Sequence, residues 1–184
     1  MNSRRLLRTC ARFAIIVVLV AMFAVAARRA GAAGPNAPTG AGVDVQLDSS
    51  AATPRQAEDT TEKAIVRDYG NAWSALARAL EQNRADLLGA SFTGVAQEKL
   101  AERIRQQKAN GLRTRYVDRG HKLEAIFYSP EGSAMELRDT AKLEIEYLDG
   151  ETVVGREQVT AHYVALMTVA EDRWKVRLLQ AAPE

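Results

Sequence analysis

The chain has 184 residues and a mass of 20.1 kDa, room for one domain and a tail but not for two full domains. Hydrophobic residues make up 47% and charged residues 26%, which excludes wholesale disorder. Its single cysteine, Cys10, excludes a disulfide framework, and with two His the chain is not expected to build a dedicated zinc site.

The net charge of +2 averages two unlike parts. Residues 1–29 hold six Arg and no acid, whereas residues 57–184 hold 18 Lys and Arg against 21 Asp and Glu. The basic character belongs to the leader, so nucleic-acid binding by the domain is not expected.

Arg4, Arg5, Arg8 and Arg12 precede an uncharged apolar run at residues 13–27. At a helical rise of about 1.5 Å per residue the run spans roughly 22 Å, short of a hydrocarbon core of about 30 Å. Snorkelling Arg side chains and local thinning of the bilayer still allow it to span. The charge order favours an N-terminus inside and the rest translocated. A cleaved signal peptide is the rival reading, with Ala24-Val25-Ala26 or Ala30-Gly31-Ala32 as the cleavage site. Residues 1–29 are thus a membrane anchor or signal segment. Either reading places the following domain outside the cytoplasm: on the outer face of an inner membrane, or secreted if the leader is removed.

Residues 30–53 are rich in Ala, Gly, Pro and Ser and read as a flexible linker. Residues 54–184 form the domain. Thr53 and Pro54 resemble a helix start, as do Asp59 to Glu62. The helix runs to about Gln82, with Ile65, Tyr69, Trp73, Leu76 and Leu80 on one stripe. A short helix follows at 84–90, broken by Phe92-Thr93-Gly94. A third spans about 95–110, with Leu100 and Ile104 inward and Gly111 as its stop.

Beyond Gly111 the period changes to two. Residues 113–117 and 121–128 read as one interrupted strand or as two. Residues 134–148 alternate strictly, with Met135, Leu137, Ala141, Leu143, Ile145 and Tyr147 on one face. Asp149-Gly150 marks a hairpin, and strands follow at 157–169 and 173–180. Helices first and an antiparallel meander after them define an α+β domain, with the helices packed on a curved antiparallel sheet.

The aromatic stripe Tyr69/Trp73, the short helix with Leu87 and Leu88, Phe92-Thr93-Gly94, the Leu100–Ile104 turn and the closing Trp174-Lys175-Val176 carry a resemblance over about residues 57–182. The domain resembles the nuclear-transport-factor-2-like (cystatin-like) cone superfamily, which also includes ketosteroid isomerase and polyketide cyclases. Within it the chain is most similar to the membrane-tethered, protein-binding branch. The resemblance implies a cone-shaped domain and a homodimer through the outer sheet face.

Asp139 lies on the apolar face of its strand, between Leu137 and Ala141. On the wall of a cone it would serve as a general base, its pKa raised by burial. The commoner arrangement is an ion pair with a neighbouring Arg, or a strand end or bulge where the face meets solvent. His162, opposite in face to Tyr163, is a second acid–base candidate; His121, after a turn glycine, is expected to be exposed. Tyr69, Trp73, Phe92 and Tyr147 are candidate lining for an apolar ligand, or plain core. Arg103, Lys108, Arg113 and Arg115 belong to a stretch, 93–122, with a net charge of +5. They make either a basic surface or a solvated face with internal ion pairs. Residues 163–169 are apolar on both faces and expect a cover. No H-E-x-x-H, C-x-x-C, G-x-S-x-G or phosphate-binding loop occurs, and no metal or cofactor is expected. The expected role is a non-catalytic, membrane-anchored module for a protein partner or a small apolar ligand. An isomerase- or cyclase-like enzyme with Asp139 as base is the alternative.

Overall fold

The computed structural model of the protein describes residues 43–182. The anchor at 13–27 and most of the expected linker lie outside them. Among the described residues no helix is long and apolar enough to cross a membrane.

Strands β1 (Val45–Asp48) and β2 (Thr53–Pro54) come first. Helix α1 (Asp59–Gln82), a short 3-10 turn (Ala85–Leu88) and helix α2 (Gly94–Ala109) follow. Four long strands close the chain: β3 (Leu112–Tyr128), β4 (Ala134–Asp149), β5 (Thr152–Ala170) and β6 (Arg173–Ala181). The sheet order is β1-β3-β4-β5-β6, with β2 also on β3. The domain is α+β, with its helices on one face of a bent sheet.

Three expectations need correction. The sheet is mixed, because β1 and β2 run parallel to β3. Residues 45–54 are therefore part of the domain and not linker: Val43, Val45 and Leu47 pack on its core. The helix begins at the second of its two predicted starts, with Glu58 as N-cap, while Thr53 and Pro54 pair with Phe127 and Tyr128.

The α1 stripe is buried as its period requires: Ile65, Tyr69, Trp73, Leu76 and Leu80 are each at most 3% exposed. Asn83 ends the helix in the left-handed conformation (φ 53°) that Asn tolerates, and its amide donates to the Leu112 carbonyl at 2.9 Å. Asp68 joins α1 to β6 by accepting the Trp174 backbone N–H at 3.0 Å. Gln107 joins both helices to β3: it donates to the Leu80 carbonyl at 2.6 Å and accepts from Thr114 Oγ1 at 2.9 Å. A buried amide with several partners meets its hydrogen-bonding needs without water.

β3 is a single strand with two irregularities, between Asp118 and His121 and between Ala125 and Phe127. At the first, Arg119 and Gly120 stand where β4 supplies only Lys142. Gly120 takes φ 124°, a conformation that favours glycine. Two residues against one is a β-bulge, and it shifts the inward phase of the strand by one residue. Thr114, Tyr116 and Asp118 face inward before it, and His121, Leu123 and Ala125 after it.

Candidate functional site

The bulge places Asp118 and His121 on the same side of β3, opposite the β4 residues Leu143 and Ala141. Asp139, two residues before Ala141, is 2% exposed on the inner face, where its alternation placed it. Its partner is a histidine and not the expected arginine. His121 Nδ1 lies 2.8 Å from Asp139 Oδ2, and His121 Nε2 lies 2.8 Å from Asp118 Oδ2. The Tyr69 hydroxyl donates to the same Asp139 oxygen at 2.8 Å. Neither His121 nor Asp139 exposes any side-chain surface, whereas Asp118 retains 17%. His121, expected to be exposed, is buried.

Burial disfavours the imidazolium, but hydrogen bonds to Asp118 and Asp139 and the charges of both outweigh it. The result is a His121 pKa raised from 6.5 to about 9. At neutral pH the ring is a cation, both its nitrogens donate, and a buried positive charge sits between two carboxylates. Tyr69 is pushed well above the usual phenol range, first by burial and then by the Asp139 charge. It therefore stays a neutral donor.

Aromatic rings close over this cluster. Trp73 lies tilted on the His121 ring at a centroid distance of 4.5 Å, and Tyr69 meets that ring edge-on at 5.7 Å. Tyr163 and Tyr116 pack on Trp73 at 5.4 and 6.4 Å. The inner end of the cone is thus filled by side chains.

The other predicted site residues scatter. Phe92, 1% exposed, bridges to Val176 of β6, and Tyr147, half-buried, donates to Glu157 at 2.5 Å. His162 is exposed on the outer face, 3.2 Å from Thr140 Oγ1. It borders a groove of about 590 Å³ together with Lys122, Glu124 and Arg138, and the lining of that groove includes Asp139 and Tyr163. The four basic residues do not form one surface. Arg103 turns over the Tyr116 ring at 5.9 Å, Arg113 pairs with Glu151, and Arg115 bridges Glu81 and Glu146. Lys108 stays exposed at the end of α2. Of the eight bases in residues 93–122, Arg113, Arg115 and Arg119 meet acids from other elements.

Sequence reasoning missed Asp118 and His121. Gly120 was the available signal, since a glycine inside a strand pattern marks a bulge that reverses the faces beyond it.

Two helices and a 3-10 turn on the inner face of a bent sheet give a cone with a filled interior. No family model matches the sequence, and no curated protein matches it. Among solved structures, the intermembrane space region of the chloroplast protein ARC6 superposes with a TM-score of 0.60 at 14% identity, covering 71% of this chain and 100% of that one. A candidate dehydratase of the NTF2-like family from Streptomyces avermitilis superposes with a TM-score of 0.47 at 13% identity, over 69% and 99% of the two chains. A candidate scytalone dehydratase from Novosphingobium aromaticivorans gives 0.47 at 10% identity, over 68% and 89%. The chain shares the fold of the ARC6 intermembrane space region.

The raised His121 pKa makes stability depend on pH. An unfolded His titrates near pH 6.5, and the folded ring near 9. The folded state holds the proton more tightly, so its contribution is complete below about pH 6.5 and is lost as pH rises through 9. The loss is about 3 kcal/mol, since each tenfold gain in proton affinity is worth about 1.36 kcal/mol. Denaturant unfolding at a series of pH values should show this fall between about 6.5 and 9, and His121→Gln should flatten it.

Proposed function

We propose that the chain is a membrane-tethered, non-catalytic binding module. Its cone domain stands on the outer face of a bacterial-type inner membrane and engages a protein partner there. The observation that carries the non-catalytic part is the enclosure of His121 and Asp139. The charge of Asp139, the candidate base, is matched by the His121 imidazolium, and both side chains are buried beside Trp73 and Tyr69. A general base must reach the proton it removes, directly or through one water. The tether is supported by the apolar run at 13–27 and the four Arg before it. Confinement to a membrane raises the effective concentration of the domain for a partner in the same surface.

Fractionation of cells that express the full chain tests the tether. The reading predicts a full-length band in the membrane pellet that resists alkaline carbonate and is degraded by protease added to spheroplasts. A shortened chain in the soluble periplasmic fraction would contradict the tether and leave a secreted module.

One observation favours the enzyme reading: Asp139 Oδ1 is buried without a hydrogen-bond partner. An unpaired buried acceptor is costly, and a substrate hydroxyl could meet it if Trp73 swung aside. On that reading an apolar enol or hydroxy-ketone analogue would shift the Trp73 fluorescence, and Asp139→Asn would abolish the shift.

A further inference from the structure

The long strand β5 is only half covered. It pairs with β4 from Thr152 to Thr168, but β6 covers it only over 163–170. The Ala182 N–H caps the His162 carbonyl at 2.8 Å. Among the described residues nothing pairs with the other side of β5 over residues 152–161. Val154 has no partner in the β4 register and bulges out, half-exposed, next to Val153. A regular open edge therefore runs over residues 155–161, between this bulge and the C-terminal end of β6 at Ala181.

Exposed edges are usually blunted by Lys, Pro or inward-pointing charge. Residues 155–161 contain no Lys and no Pro. Their two charges are engaged sideways within the same sheet: Arg156 with Glu144 and Glu146 of β4, and Glu157 with the Tyr147 hydroxyl. The backbone donors and acceptors of the segment remain open to another strand.

We propose that the occupant is a second copy of this chain, paired antiparallel through residues 155–161 about a two-fold axis at Gln158. The two stops are symmetric about that residue, with the bulge at Val154 on one side and His162, whose carbonyl Ala182 caps at the end of β6, on the other. An antiparallel two-fold places Gln158 opposite Gln158, Glu157 opposite Val159, Arg156 opposite Thr160 and Gly155 opposite Ala161. No like charges meet, whereas an axis at Arg156 or Glu157 would set like charges directly opposite. Each Val154 then stands opposite the partner's position 162, beside the end of its β6. The contact is isologous, so it closes at a dimer and does not propagate. The sheet face between β3 and β4 is less suited to this, because it carries exposed Lys122, Glu124, Arg138 and Lys142. This dimer goes beyond the proposed function and does not depend on it.

The test is site-directed cross-linking of the full chain in mild detergent, in a Cys10→Ser background. Directly opposed strand residues lie about 4.5–5.5 Å apart at Cα, within disulfide reach. Gln158→Cys should give a disulfide-linked dimer as the major species on mild oxidation. A mixture of Arg156→Cys and Thr160→Cys chains should cross-link to each other more than either does alone. Gln158 is an exposed position, so its substitution leaves the core intact. A Gln158→Cys chain that cross-links no faster than Lys142→Cys overturns the proposal, as does a full-length chain with the mass of a monomer at tens of micromolar.

Discussion

Replacing His121 by Ala should destabilise the domain by about 3–5 kcal/mol, the cost of removing one partner from a buried ion pair. The substitution leaves Asp139 inside the core with only the Tyr69 hydroxyl as donor. Asp118, which retains 17% side-chain exposure, can rehydrate, so the loss belongs mainly to Asp139. The expectation is sharpened by removing the whole cluster. His121→Leu together with Asp139→Leu and Tyr69→Phe eliminates the charges and the donor at once, and apolar replacements of buried ion pairs are often neutral. The triple variant should recover most of the loss by urea denaturation. A single variant that loses less than about 1 kcal/mol would mean that water already reaches the cluster.

Trp73→Ala should cost about 3–5 kcal/mol, the range for truncating a large buried aromatic. The indole covers the His121 ring at 4.5 Å and supports Tyr163 and Tyr116. Its loss opens a cavity beside the imidazolium and admits water to the ion pair. Trp73→Phe keeps most of the ring contact and should cost less than half as much. Thermal unfolding of the two variants side by side checks this. Equal small losses would place Trp73 in a loose pocket and not in a packed core.

The parts of this fold that were legible are those where one period runs unbroken. The α1 stripe and the β4 alternation are long enough that the inward face follows from spacing alone. Asp139 was visible as an anomaly because nothing interrupts β4 around it. Its partner was hidden because Gly120 read as a turn with an exposed His121 after it, whereas Arg119 and Gly120 form a bulge that turns His121 inward. The strand at 45–48 was hidden by length: four residues in an Ala- and Gly-rich stretch give little pattern, though Val43, Val45 and Leu47 already alternate. The basic stretch misled for another reason. A count of charges along a chain cannot see that Arg113 and Arg115 meet acids from β4, α1 and the β4–β5 turn, or that Arg103 turns over Tyr116.

On the proposed reading, His121 is a buried cation between Asp118 and Asp139 and holds a structural charge. Nitrogen-15 NMR of the His121 ring as a function of pH tests this most directly. Both ring nitrogens should be protonated at pH 7, and the ring should titrate near pH 9. A neutral ring at pH 7, with one nitrogen bare and a midpoint near 6.5, would contradict it and return Asp139 to the list of candidate bases.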